Sequence, residues 1–210
     1  MAAINIIYTE ELGRDIIMLD YNNKKYYFEK SSLALRQLQE TFLEIPYARL
    51  DVKGKTVLDI GSNMGDTAIY FMANGASKVY GFDCDPEMVE LARKNIKMNN
   101  LEDLIKIFEM KVTDLQQCMN VIQERERLAL KLDCEGAELD IFKADVAMDR
   151  EGPLKLFDNI IMEYHVEPYH IMTRLYQLGF LDMNRKSMED SMGKLKYFGY
   201  IYSGNKIELE

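Results

Sequence analysis

Residues 56–67, TVLDIGSNMGDT, carry the pattern that decides the fold. Val57, Leu58 and Ile60 mark a buried strand, and the run stops at a turn holding Gly61 and Gly65 before an apolar helix begins. Glycine allows a backbone to approach a ligand closely, and the helix that follows offers free N–H groups and the positive end of its dipole. The spacing is Asp-x-Gly-x-x-x-Gly, which matches neither the dinucleotide fingerprint nor the phosphate-binding loop that ends in Gly-Lys-Ser/Thr. Asp59 at the strand end would repel a pyrophosphate and suits a cationic group. The turn therefore supplies candidate ligand contacts at Asp59, Gly61, Ser62, Asn63 and Gly65.

Working outward, strand and helix alternate. The helix after the turn is predicted over Met64 to Asn74, ended by Gly75. KVYGFD is the second strand, and Pro86 is well placed as the first residue of a helix to about Met98. LIKIFEM is the third strand, with Asp114 capping a helix to about Glu126. LALKLD is the fourth, followed by a helix from about Gly136 to Ala147. NIIMEY is the fifth, with a helix from about Pro168 to Leu178 beyond it. Near-continuous apolar strands separated by helices imply a parallel sheet covered on both faces. The tail, GFLDMNR and LKYFGYIYS, reads as two strands joined like a hairpin. The expected fold is α/β, a doubly wound, mostly parallel seven-stranded sheet of Rossmann-like type. Residues 1–50 read as a small N-terminal β-hairpin and helix segment, with a turn at Asn22-Asn23 and a helix over LALRQLQETFLE up to Pro46, lying as a lid on a core of residues 51–210. The whole, 1–210, reads as one domain.

A second motif sits at the expected distance from the first. GFDCDP closes strand two and places Asp83 about twenty residues past the glycine turn, where a carboxylate binds both hydroxyls of a ribose. Asp85 suits the capping role better, which leaves Asp83, with Cys84 beside it, facing the ligand edge. After strand three, Thr113 and Asp114 stand where an adenine amino group is reached, although a helix N-cap explains them equally well. A nucleoside joined to a cationic amino acid fits both ends of this pattern, and S-adenosyl-L-methionine is the expected cofactor.

DIGSNMGDT, VYGFDCDPEMVELARKN, LKLDCEGAELDIFK and IIMEYH together resemble the FkbM-type family of class I methyltransferases, over about Lys55 to His165. The segment KLDCEGAELDIF is the more specific part, because that family carries a similar Asp-x-Glu-Gly-x-Glu segment after strand four. The resemblance implies methyl transfer to oxygen, often on a sugar or other small molecule, and hence a small-molecule hydroxyl acceptor.

Asp133, Glu135 and Glu138 gather at the end of strand four. In extended chain Asp133 and Glu135 point to one side, and Glu138 follows at the start of the next helix, where a capping role accounts for it. A nucleophile that must lose a proton needs a base, and Asp133, Glu135 and His165 are the catalytic candidates, with Asp133 also facing the cofactor. His165 and His170 lie five apart and do not share a helix face, so no metal site is expected. Cys84 and Cys134 follow strand ends about 10 Å apart if one strand lies between them, too far for a disulfide.

The 210 residues include 48% hydrophobic and 29% charged, ordinary values for a globular chain. The net charge of −9 opposes a phosphate backbone, so nucleic acid is not an expected partner. No apolar stretch is long enough to span a membrane, and the N-terminus lacks a signal-peptide pattern, so a cytoplasmic location is expected. The KKYYF aromatics suit either internal packing or a homodimer contact. Two further readings compete: methylation of a protein or nucleic-acid amino group, disfavoured by the missing Asn/Asp-Pro-Pro-aromatic segment, and a catalytically silent cofactor-binding module.

Overall fold

The computed structural model describes residues 5–11, 14–44, 46–134, 136–148, 152–165, 169–189 and 195–206. The N-terminal segment is a three-stranded antiparallel meander, β1 (Asn5–Glu11), β2 (Arg14–Tyr21) and β3 (Lys24–Glu29). Asn22 and Asn23 both take positive φ, 51° and 60°, the geometry that matches a two-residue turn to the twist of its strands. The meander docks on the main domain through amide side chains. Asn99 exchanges hydrogen bonds with the backbone of Tyr27, at 2.9 and 2.7 Å, and Asn95 accepts from the Glu29 N–H at 2.8 Å.

The segment predicted as one helix before Pro46 is divided. The α-helix α1 (Ala34–Leu38) widens into a π-helical turn at Gln39–Glu44, and a 3₁₀ turn follows at Pro46–Arg49. The wide turn serves two demands at once. Phe42 enters an aromatic cluster with Tyr21, Phe28 and Tyr70, while Thr41 reaches Asp66 of the main domain. A π turn inside a helix is frequently found at a functional site.

The main sheet has seven strands in the order β6-β5-β4-β7-β8-β10-β9. The parallel part comprises β4 (Thr56–Ile60), β5 (Lys78–Asp83), β6 (Ile105–Glu109), β7 (Leu128–Leu132) and β8 (Phe157–Tyr164). The last two strands, β9 (Phe180–Glu189) and β10 (Leu195–Lys206), are antiparallel, with β10 inserted beside β8. Helices α2 (Asp66–Ala73), α3 (Pro86–Met98), α4 (Leu115–Met119), α5 (Glu138–Ala147) and α6 (Tyr169–Gln177) connect or follow the strands. Two hydrophobic clusters lie on opposite faces of the sheet, and the one on the α2–α3 side also takes in Ile17, Leu19 and Phe28 of the meander. The chain order reverses on either side of β4, so the carboxyl ends of β4, β5 and β7 bound the crevice where such sheets bind ligands.

Helix α4 stops well short of the expected Glu126. Arg125 folds back and donates to the carbonyls of Met119, Ile122 and Glu124, each at 2.8 Å, and so satisfies groups that a longer helix would have used. Helix α5 is tied to α6 by Arg174, whose Nη2 lies 2.8 Å from Asp145 Oδ2. The three cysteines are unpaired. No helix among the described residues is long and apolar enough to cross a membrane.

Candidate active site

The glycine turn is held from three sides. Gly61 and Ser62 donate their N–H groups to the Phe82 carbonyl at 2.9 and 3.1 Å, and Asn63 donates to Asp83 Oδ2 at 2.8 Å. Gly61 has φ of +78°, and a Cβ there would stand 1.7 Å from the Asp133 carbonyl oxygen, so the site requires glycine. Gly65, at φ +80°, is the N-cap of α2 and provides no side-chain cap. The first turn of α2 thus keeps the positive end of its dipole for an anion.

Beneath the turn lies a buried charge cluster that sequence reading did not anticipate. Lys131 is 1% exposed at its side chain and sits 3.1 Å from Asp59 Oδ1 and 3.9 Å from Asp133 Oδ2. It also donates to the carbonyls of Gly61 and Ile60, at 2.5 and 3.3 Å. Burial alone would depress this ammonium, but the charges of Asp59 and Asp133 outweigh burial and hold it protonated. Burial pushes the Asp59 carboxyl up, an effect opposed by Lys131 and by Thr67, which donates to Asp59 Oδ2 at 2.6 Å. Asp59 is therefore engaged inside the protein and does not line the cleft, which corrects the expectation that it meets the ligand's cation directly. Asp66, also buried, accepts from Thr41 at Oδ2, at 2.5 Å, and burial pushes it up to about 6.

The third group of residues stands at the ends of β7 and β8. Asp133, Glu163 and His165 each place a ligand atom within 4.8 Å of the others. Tyr47, from the 3₁₀ turn of the N-terminal segment, donates to Asp133 Oδ2 at 2.8 Å and lays its ring 5.5 Å from the Lys131 ammonium. His165 Nδ1 lies 3.2 Å from Oε1 of Glu138, and its Nε2 lies 3.7 Å from Glu163. Glu138 is fully buried, and the same oxygen accepts from the N–H groups of Cys134 and Gly136. Glu138 thus bonds the loop that leads into α5 rather than the helix's own first N–H groups, and it fixes the orientation of His165 through Nδ1.

These groups line a cleft of about 540 Å³, of the size that holds a small organic cofactor. Of the candidates named from sequence, Gly61, Asn63, Asp83, Cys84, Asp133 and His165 line it. Ser62 and Gly65 lie beneath it as packing and turn residues. Thr113 and Asp114 do not line it. Asp114 is committed to a capping box, accepting from the Gln116 N–H at 2.8 Å while Gln117 reaches back to the N–H groups of Thr113 and Asp114. The strand-three wall is formed by Met110, Lys111 and Val112 instead. Glu135 lies outside the described residues. Among the lining residues that sequence reading missed are Tyr47, Asp66, Lys131, Glu163 and the π-helical residues Glu40 and Thr41. Replacing Tyr47 by Phe tests the clamp from the N-terminal segment. It is expected to cost about 1 kcal/mol in urea unfolding, the worth of one partly buried hydrogen bond, and to weaken turnover through a loosened Asp133.

The cleft fits S-adenosylmethionine on several independent counts. The uncapped α2 terminus suits a carboxylate, the Asp83 carboxylate at the end of β5 suits the hydroxyls of a ribose, and Phe82, Met110 and Val112 give an apolar slot for a base. Fold and site together place the chain among the class I S-adenosylmethionine-dependent methyltransferases. The family model described as ribosomal protein L11 methyltransferase (PrmA) matches residues 31–124. A ribosomal protein L11 methyltransferase of Carboxydothermus hydrogenoformans is 32% identical over 135 residues, 64% of this chain and 41% of that protein. The chain thus spans about two fifths of that relative's length. Among solved structures, M. capricolum TrmK bound to S-adenosylhomocysteine superposes with a TM-score of 0.56 at 18% identity, covering 86% of this chain and 72% of that one. A Streptococcus pneumoniae protein described as a putative tRNA (m1A22) methyltransferase gives 0.53 at 15% identity, over 86% and 73%. These two show the shared fold.

The matches also correct the expected partner. The small-molecule hydroxyl acceptor rested on the likeness of residues 131–142 to FkbM-type enzymes. The family match instead runs over residues 31–124, and the named relatives carry the name of an enzyme acting on a ribosomal protein.

Proposed function

We propose that this chain methylates an amino group of a protein, using S-adenosylmethionine. The observation that carries this reading is the convergence of Asp133, Glu163 and His165 at one wall of the cofactor cleft. A protein amine is an ammonium at neutral pH. It must be drawn into the site, held, and stripped of a proton before its lone pair can attack. Two carboxylates within reach of each other attract and orient a cation, and a histidine ring nitrogen beside them is placed to accept its proton. Bound S-adenosylmethionine supplies an electrophilic methyl group on a sulfonium.

The residues divide the remaining work. Asp133, steadied by Tyr47 and Lys131, orients the amine; His165 Nε2, aimed by Glu138, takes the proton; Glu163 stabilises the imidazolium that results. The net charge of −9 assists encounter with a basic protein, an electrostatic preference that weakens as salt is added. The likeness of residues 131–142 to FkbM-type enzymes supports the placement of these carboxylates and is not used to choose the acceptor.

The test is transfer of label from methyl-labelled S-adenosylmethionine to ribosomal protein L11, to other basic proteins, and to the same proteins with amines blocked by acetylation. Acid- and base-stable label on L11 or another basic protein, abolished by blocking, is the expected result. Label that washes out with mild base marks a carboxyl ester and overturns the reading, as does the absence of protein label from a preparation that binds the cofactor.

A further inference from the structure

The register between β7 and β8 brings a second kind of chemistry to the acceptor wall. Leu132 stands beside Met162 in that parallel pair, so Asp133, one residue past the end of β7, comes beside Glu163. Neighbouring strands lie about 4.8 Å apart, and His165, two residues beyond Glu163, returns to the same side of the sheet. The result is two carboxylates and an imidazole, with one ligand atom of each inside 4.8 Å of the others. His165 Nε2 is 3.7 Å from Glu163 Oε1. Two ligand atoms about 2.1 Å from one tetrahedral ion stand roughly 3.4 Å apart. That pair is therefore nearly at coordinating distance, and no separation in the set has to close by more than about 1.4 Å. All three side chains line the cleft, with Asp133 22% and His165 21% exposed.

We infer that Asp133, Glu163 and His165 form a site for a divalent transition-metal ion, such as Zn²⁺, at the acceptor wall of the cleft. Three protein ligands, with the remaining positions left to water or substrate, are the donor set of an open metal site. The imidazole favours a transition ion over Mg²⁺ or Ca²⁺, which prefer shells of oxygen alone. An independent observation comes from behind the ring. Glu138, fully buried on α5, lies 3.2 Å from His165 Nδ1. A carboxylate on the second ring nitrogen is the partner that metal-binding histidines characteristically carry, because it fixes the ring and raises its basicity. Charge agrees as well. The Lys131 ammonium, 3.9 Å from Asp133, is matched by Asp59 at 3.1 Å. Asp133 and Glu163 thus bring two negative charges to a dication. His170 is not part of the set.

The site itself goes beyond the amine reading, while its consequence for turnover rests on that reading. The groups that gather an ammonium, two carboxylates and a ring nitrogen, are the same groups that would hold the ion. An ion bound to them leaves no carboxylate to orient the ammonium and no ring lone pair to take its proton. Nor can the ion replace them, because an amine that coordinates it has given up the lone pair needed to attack the methyl group. The ion therefore competes with a protein amine and leaves the cofactor at its own end of the cleft. Transfer to oxygen would behave in the opposite way, since a Lewis acid helps a hydroxyl to lose its proton.

The experiment is calorimetric titration of untagged, metal-free protein with Zn²⁺ and with Mg²⁺. It is run on wild type, Asp133→Asn, Glu163→Gln, His165→Gln, Glu138→Gln and His170→Gln, each checked for folding by circular dichroism. The expected result is one Zn²⁺ bound per wild-type chain, with Mg²⁺ far weaker. Glu138→Gln is expected to lower Zn²⁺ affinity by about tenfold to a hundredfold, the share of an outer partner, and each ligand substitution by at least about a hundredfold. His170→Gln should change nothing. Any one ligand variant that folds carries the test. With Co²⁺ as the probe, the visible absorption of the bound ion should change in His165→Gln. In the label-transfer assay, Zn²⁺ should raise the apparent KM for the protein acceptor and leave that for S-adenosylmethionine unchanged. Absence of stoichiometric Zn²⁺ binding overturns the site, even where protein amines are labelled. Binding that survives the ligand substitutions overturns it too. Zn²⁺ that is lost with those substitutions yet speeds transfer upholds the site and overturns the amine reading. If no protein is labelled, the amine reading falls and the calorimetry still decides the site.

Discussion

Lys131→Met is expected to destabilise the protein by about 3–5 kcal/mol, the cost of leaving a buried carboxylate without its cation, and to abolish detectable cofactor binding. Methionine fills much of the same volume, so the loss reports charge and hydrogen bonding more than a cavity. Three consequences follow from the geometry. Asp59 keeps its buried position without its ion pair. The carbonyls of Ile60 and Gly61 lose the donor that fixes the glycine turn from below. Asp133 loses the nearest cation, 3.9 Å away. Urea unfolding at two pH values separates these from a packing defect. Without Lys131, burial pushes Asp59 further up, since the ammonium is among the influences that lower it. The folded variant then binds a proton that the unfolded chain releases, so its stability rises as pH falls toward the ordinary carboxylate range. The gap between wild type and variant should narrow from pH 8 to pH 5. A gap of the same size at both would mean that the ion pair contributes nothing specific. Asp59→Asn added to Lys131→Met should recover a substantial part of the loss, because it removes the charge left behind.

The parts of the fold that were legible in the sequence are those governed by local rules. Asn22-Asn23 announced a tight hairpin turn, Pro86 and Asp85 announced the start of α3, and five apolar runs announced a parallel sheet; each appears where expected. Asp85 accepts from the N–H groups of Glu87 and Met88 as an N-cap should. What escaped was set by groups distant in sequence. Arg125 ends α4 by reaching back to three carbonyls, which no propensity discloses. Tyr47 meets Asp133 across 86 positions, and Thr41 meets Asp66 across 25.

Lys131 is the instructive miss, because a signal was present. LALKL is the strand least able to accept a lysine, since it lies at the centre of a sheet covered on both faces. A lysine there demands a buried counter-charge. Asp59 stands directly opposite it in the register between β4 and β7, and Asp133 follows two residues later. Reading the two strands together would have paired Asp59 with Lys131 and released it from the ligand. The acceptor was misread for a different reason. Residues 131–142 describe how carboxylates are placed, and two carboxylates with a histidine serve an amine as readily as a hydroxyl.

Asp133→Asn is the second large effect, expected to lower kcat by about two orders of magnitude, what a misplaced reacting group costs, while cofactor affinity falls far less. The substitution is nearly isosteric, so Tyr47 can still donate to the remaining carbonyl oxygen, and the Lys131–Asp59 pair is left in place. What disappears is a negative charge at the mouth of the cleft, within 4.8 Å of the ligand atoms of Glu163 and His165. An incoming ammonium then finds one carboxylate where there were two, and its proton passes to His165 from a poorer position. The loss should appear in kcat, with a smaller effect in KM for a protein substrate, and rising pH should recover part of it as more of the amine is already deprotonated. His165→Gln should also lower kcat, and rising pH should recover part of that loss too, since an amine that is already deprotonated needs no base. Full turnover in Asp133→Asn with cofactor bound would show that methyl transfer here depends on proximity alone, and the convergence of Asp133, Glu163 and His165 would then need another purpose.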